Sequence, residues 1–215
     1  MLPLSDVIVP RERSYVALAI VLATTIIFSV QVVAGSGFAR SMVDTWSLVP
    51  ARLSVVAVVT SLLLHDGGWH LAVNMLAVWI FGENLEDRLG HGRFLMFFLL
   101  CGAAAALAHS LLHPWSVTPI IGASGAVAGV TGGYLITYPQ SRVLTVVPVP
   151  PVLVEVPAAI LLALWCSLQV LSRLGADAGM GGIDVSGGLS LAGLGAGFAT
   201  GVVACLGLRR PLRWD

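Results

Sequence analysis

The chain has 215 residues, of which 57% are hydrophobic and 10% are charged, and its mean hydropathy is +0.94. Its 11 basic residues are all arginine, and its formal net charge is zero. A single water-soluble core of this length cannot bury so much apolar surface, so the composition predicts an integral membrane protein. The neutral balance and the absence of a basic cluster also argue against a nucleic-acid-binding protein.

Six apolar segments are candidates for membrane-spanning helices, since about 20 helical residues cross the hydrocarbon. They run from 16 to 34, 69 to 81, 94 to 112, 122 to 138, 152 to 172 and 187 to 208. The sequence therefore predicts an all-α bundle of six transmembrane helices. Residues 1–15 are then a cytoplasmic N-terminal segment, 16–208 a single membrane domain, and 209–215 a cytoplasmic tail.

The stretch from 51 to 65 is ambiguous. It is apolar but short, and Pro50 and Arg52 at its start favour an outer interfacial or partly embedded loop over a seventh span. With six spans and a cytoplasmic N-terminus, eight arginines lie on the cytoplasmic side and three outside. This distribution fits the rule that cytoplasmic loops carry an excess of basic residues. We expect a bacterial-type plasma membrane protein with both termini inside. A cleaved signal peptide is the alternative for the N-terminus, and the acidic residues of its leader disfavour it.

Polar residues inside a membrane are costly and are therefore candidates for function. His70 and Asn74 in "HLAVN" are four residues apart, on one face of the second span near its outer start. Ser124 in "GASGAVAG" begins the fourth span, where the helix dipole favours the negative charge that a nucleophilic serine creates. Taken alone, the first pair also fits a polar helix start, and Ser124 also fits a helix cap.

Glycines recur on two of the predicted spans. The fourth span carries Gly125 and Gly129, and the sixth carries Gly193, Gly197 and Gly201. Small residues at this spacing let helix backbones approach closely. We therefore expect these two faces to pack together, which brings Ser190, one turn before the stripe, beside Ser124.

The set "HLAVN", "GASGAVAG" and the glycine stripe, in this order on six spans, resembles the rhomboid family of intramembrane serine proteases. The resemblance extends from about Pro50 to Leu208 and includes "FGENLEDRLGHGRF", "YPQSRVLTVVPV" and "VEVPAAILLALW". It implies that Ser124 is the nucleophile, and that the Ser124 amide, His70 and Asn74 stabilise the oxyanion. It also implies substrates or clients that are single-pass transmembrane proteins.

The family uses a serine–histidine dyad, and the resemblance places its histidine at the head of the sixth-span stripe. Ser190 occupies that position here. A hydroxyl with a pKa far above neutral cannot take a proton from another hydroxyl. His113 and His65 lie near the outer side and are alternative bases, whereas His109 lies about one turn deeper.

Two functions follow. The first is an intramembrane serine protease with full or residual activity, and the second is a rhomboid-like pseudoprotease that binds transmembrane helices without cleaving them. A small channel is disfavoured because the polar residues gather at one depth. We expect no cofactor and no metal, since no His, Cys, Asp and Glu cluster has ligand spacing. The resemblance assigns a gate to span five and the glycine-rich loop at 172–188.

Overall fold

The computed structural model describes residues 2–8, 10, 13–148, 151–177 and 189–208. These residues are mostly helical, with one small sheet. The elements are β1 (Leu2–Asp6), α1 (Tyr15–Val33), α2 (Ser36–Trp46), α3 (Val55–Thr60), α4 (Gly68–Ala77), a π-helical turn (Val78–Gly82), α5 (Glu83–Leu89), α6 (His91–Leu112), α7 (Ser124–Thr137), β2 (Arg142–Pro148), β3 (Pro151–Pro157), α8 (Ala158–Asp177) and α9 (Leu191–Leu208). Short 3-10 helices at Pro50–Arg52 and Ser61–Leu63 flank α3.

By length and composition, fewer than six of the described helices qualify as membrane spans. Within the described residues, three helices are long and apolar enough to cross a membrane: α1, α6 and α9. The helices Val55–Leu63 and Gly68–Leu89 form a fourth only as a pair, bent by 97°. The predicted fourth span is the 14-residue α7, which at 1.5 Å per residue is shorter than a hydrocarbon core of about 30 Å. The chain is thus a multi-pass membrane protein, but six spans are not confirmed.

The prediction of an all-α chain is wrong at one end of the molecule. Strands β1, β2 and β3 form an antiparallel sheet in that order, with Asp6 paired to Val143 and Arg142 paired to Pro157. The apolar run from 152 to 172 was predicted as one helix, but its first six residues belong to β3. Val152, Val154 and Val156 alternate with other residues there, and β-branched side chains favour strands.

The Asp6 carboxylate fixes this sheet to the helices. It accepts hydrogen bonds from the Asn84 side chain (2.7 Å), the Ser141 hydroxyl (2.9 Å) and the Tyr134 hydroxyl. Tyr134 lies in the last turn of α7, so the contact ties the N-terminal strand to the end of the helix that begins at Ser124.

Helices α7 and α9 pack backbone against backbone. A Cβ placed on Gly197 would overlap the carbonyl oxygen of Gly125, and one placed on Gly201 would overlap that of Gly129. Gly193, one turn earlier, faces the carbonyl of Ala105 on α6, 3.0 Å from where its Cβ would lie. Gly197 and Gly201 therefore lie on a face of α9 with no room for a larger residue.

We expect Gly201→Ala to destabilise the protein by about 1–3 kcal/mol, because the added methyl forces the two helices apart. Gly195→Ala on the same helix is the matched control, since its Cβ would meet no atom within 4 Å. The measurement is the unfolding midpoint in detergent. Equal midpoints for the two variants would contradict the close packing.

We expect Asp6→Ala to lower the free energy of unfolding by about 1–3 kcal/mol, because it leaves buried donors without their acceptor. Asp44→Ala, at an exposed carboxylate on α2, is the control and should change stability by about 0.5 kcal/mol or less. The same unfolding assay checks both. A midpoint for Asp6→Ala equal to that of Asp44→Ala would show that the strand contributes nothing.

Candidate active site

Ser124 is the first residue of α7 and is 3% exposed. All residues from Ser124 to Tyr134 are buried, so this helix runs through the centre of the bundle. The first amides of a helix have no partner within it, and the helix dipole is positive there. Ser124 therefore lies where a developing negative charge is stabilised.

The imidazole of His70 lies directly on Gly122, two residues before Ser124. Gly122 has φ +107°, and a Cβ at this position would lie 2.6 Å from Cε1 and 2.8 Å from Nε2 of His70. Only glycine tolerates both the backbone conformation and the ring. The Gly122 N–H donates to the Ser61 carbonyl (2.9 Å), which holds the loop beside the 3-10 helix that precedes His65.

The His70 ring is held on its other side by Asp66. Nδ1 of His70 lies 2.7 Å from Oδ1 of Asp66, one helical turn earlier. A carboxylate only accepts, so this nitrogen carries a proton and donates it. The bond fixes the ring with its Nε2 edge towards Gly122.

Asn74, one turn after His70, is completely buried. Its Nδ2 lies 3.3 Å from Nε2 of His65, and its Oδ1 has no hydrogen-bond partner. The His65 ring in turn meets the His70 ring edge-on, with ring centroids 4.8 Å apart. His65, His70 and Asn74 thus form one polar cluster beside the Ser124 loop.

Ser190 directly precedes α9 and acts as its N-cap. Its Oγ accepts a hydrogen bond from the Gly193 N–H (3.2 Å), and its carbonyl accepts from Leu194 (3.0 Å). Its own N–H donates to Nδ1 of His109 on α6, at 2.8 Å. The Ser190 hydroxyl therefore caps α9, and the His109 imidazole on α6 accepts a hydrogen bond from the Ser190 backbone.

The chain matches the family described as the rhomboid domain over residues 52–207. The chain belongs to the rhomboid family. It is 37% identical over 103 residues to "Rhomboid protein 1, mitochondrial" of Saccharomyces cerevisiae, and the aligned region covers 45% of this chain and 30% of that protein. It is 41% identical over 76 residues to "Rhomboid protease GluP" of Bacillus subtilis, an alignment that covers 35% of this chain and 14% of that protein. It is 35% identical over 96 residues to "Putative rhomboid protease YdcA" of the same species, an alignment that covers 45% of this chain and 48% of that protein. The chain thus spans less than half the length of each of these relatives, and it is homologous to intramembrane proteases.

The sequence suggested His113 and His65 as alternative bases and placed His109 about one turn deeper, without predicting a contact to residue 190. Yet His109 contacts residue 190, and its ring centroid lies 4.8 Å from that of His113. No sequence pattern signals this contact, because a hydrogen bond between residues 81 positions apart has no periodic signature. The predicted gate at 172–188 lies outside the described residues from 178 onwards.

We expect Gly122→Ala to reduce the reactivity of Ser124 towards a fluorophosphonate at least about tenfold, because both the backbone and the His70 ring must shift. Gly92→Ala is the control, since a Cβ there meets nothing within 4 Å. The labelling rate of the folded protein in detergent is the measurement. A rate for Gly122→Ala equal to that of the control would mean that the His70 contact does not shape the site.

Proposed function

We propose that this chain is a rhomboid-type intramembrane serine protease scaffold that acts through Ser124 on transmembrane-helix substrates near the outer face of the membrane, with hydrolysis slowed by the serine at residue 190. The observation that carries the proposal is the His70 ring on Gly122, since it assembles donors around a serine at the start of a buried helix. Residues 16–208 form the membrane domain, and both termini are cytoplasmic.

In this mechanism the Ser124 Oγ attacks the substrate carbonyl and gives up its proton. The peptide C–N bond breaks, the amine leaves after gaining a proton, and water then hydrolyses the acyl-enzyme to release the acid and restore the serine. The oxyanion receives hydrogen bonds from the Ser124 amide, from Nδ2 of Asn74 and from Nε2 of His70 when that ring carries both protons. The close contact of α7 and α9 at Gly125, Gly129, Gly197 and Gly201 supports this arrangement because it fixes the start of α9 relative to Ser124.

Proton transfer from the Ser124 hydroxyl is the slow step of this mechanism. Ser190 has no basic group, and its hydroxyl already caps α9. His109 is adjacent, but its Nδ1 accepts the Ser190 N–H, so the neutral ring holds its proton on Nε2 and offers no lone pair there. Serine proteases that lack one triad member keep roughly 10³–10⁴-fold acceleration over water, far below full activity. We therefore expect slow cleavage.

A second function, binding of transmembrane helices without cleavage, is favoured by one observation. Both the side chain and the backbone of Ser190 are engaged in positioning α9 rather than Ser124. Such a protein would retain single-pass transmembrane proteins as clients through the same bundle and would not hydrolyse them.

The test compares the parent with Ser190→His, each with and without Ser124→Ala, on a model transmembrane substrate in liposomes. We expect Ser190→His to raise cleavage about 10²-fold or more, since a positioned general base contributes about 10²–10⁴. The gain should vanish in the Ser124→Ala background. This result would make the scaffold a protease that lacks only its base.

Two other outcomes decide between the functions. Fast, Ser124-dependent cleavage by the parent would overturn the argument about the base and direct attention to His109, His113 and His65. Absence of cleavage in every variant, with substrate still captured by the folded protein, would overturn the protease proposal in favour of helix binding.

A further inference from the structure

A cavity of about 450 Å³ lies behind the polar cluster, bounded by α1, α2 and the turn between the 3-10 helix Ser61–Leu63 and α4. Its polar lining includes Gln31 from α1, Arg40 from α2, and His65 and Asp66 from the turn, and its apolar lining includes Phe28 and Val43. Small-molecule sites have cavities of roughly this size, mostly apolar with a few polar groups.

One polar atom in this lining is buried without a partner, and a second is only weakly engaged. Gln31 is 5% exposed, and among the described residues its Oε1 has no hydrogen bond. His65 is 2% exposed; because its Nε2 accepts from Asn74, its proton is on Nδ1, which interacts with the Leu63 backbone but forms no hydrogen bond of normal geometry. Buried polar groups in native proteins are nearly always satisfied. The cavity thus contains one unused acceptor and one weakly engaged donor.

The cavity also contains one positive and one negative charge. Arg40 is exposed on α2 and, within the described residues, forms no ion pair with any carboxylate. Asp66 uses one oxygen for His70, and its second oxygen can accept another hydrogen bond. A ligand that matches this site carries both an anion and a cation with N–H groups.

We propose that the cavity binds the headgroup of a zwitterionic phospholipid with a primary ammonium group. The phosphate accepts hydrogen bonds from Arg40 and from Nδ1 of His65, and the ammonium donates to Asp66 and to Oε1 of Gln31. A choline headgroup has no N–H to donate, and an anionic headgroup leaves Asp66 without its cation.

The site is coupled to the candidate active site by two hydrogen bonds. Asp66 holds His70 at 2.7 Å, and His65 contacts Asn74 at 3.3 Å. A headgroup bound to Asp66 and His65 therefore contacts the hydrogen-bond partners of His70 and Asn74, the two side chains that are proposed to stabilise the oxyanion. We expect occupancy to change the reactivity of Ser124; this coupling, unlike the binding, rests on the proposed function.

The test titrates the full chain with phosphatidylethanolamine, phosphatidylcholine and phosphatidylglycerol of identical acyl chains, and measures retained lipid by native mass spectrometry. We expect the parent to retain the ethanolamine lipid in preference to the other two. In Gln31→Leu and in Arg40→Gln the ratio of retained ethanolamine lipid to choline lipid should fall about tenfold, since each variant loses a hydrogen-bonding group. Arg52→Gln is the matched control, because it removes an exposed arginine that does not line the cavity.

Equal retention of the three lipids would overturn the proposal, and so would equal lipid preference in Arg40→Gln and Arg52→Gln. Either result would indicate that ordered water, rather than a headgroup, fills the cavity. The coupling is tested by labelling Ser124 with a fluorophosphonate in bilayers of ethanolamine or choline lipid. The labelling rate should differ between the two bilayers for the parent and not for Arg40→Gln. A preference in binding without a change in labelling would overturn the coupling, and loss of substrate cleavage alone would bear only on the proposed function.

Discussion

The close approach of α7 and α9 is the constraint on which the site depends. Helices that carry ordinary side chains lie 8–10 Å apart, whereas here the carbonyls of Gly125 and Gly129 occupy the space in which Gly197 and Gly201 would have side chains. In a bilayer the hydrophobic effect does not drive helices together, so association depends on such close packing. The register of this contact fixes where the first turn of α9 lies relative to the first turn of α7.

That register does not depend on the side chain at position 190. The contacts that pack α9 against α7 and α6 are made by glycines one or more turns further along the helix. A serine at the head of the helix is therefore compatible with this packing, and it also caps α9. The Ser124 loop is fixed separately, by Gly122 against His70 and by the Gly122 N–H on Ser61. The packing of α9 and the position of the Ser124 loop thus depend on different residues.

Sequence patterns indicated a helical membrane protein of the rhomboid family because each signal is local: apolar length, four-residue spacing of His70 and Asn74, and glycines every fourth residue. They failed at β3, where apolar length alone cannot distinguish a strand followed by a helix from one span. They also missed the link from Asp6 to Tyr134, 128 residues apart, and the contact of His109 with Ser190, since tertiary hydrogen bonds have no periodic signature. The sequence also did not reveal that α7 has only 14 residues and is buried from Ser124 to Tyr134.

Ser190 also illustrates how stability and catalysis compete at a helix start. Serine is among the best N-cap residues, and replacing such a cap by alanine costs about 0.5–2 kcal/mol. Its short hydroxyl reaches the Gly193 N–H, whereas an imidazole directed at Ser124 would leave that amide to water or to another group. The His109 bond to the Ser190 N–H adds a second fixed contact at the same residue. The arrangement at residue 190 therefore gives α9 a rigid start.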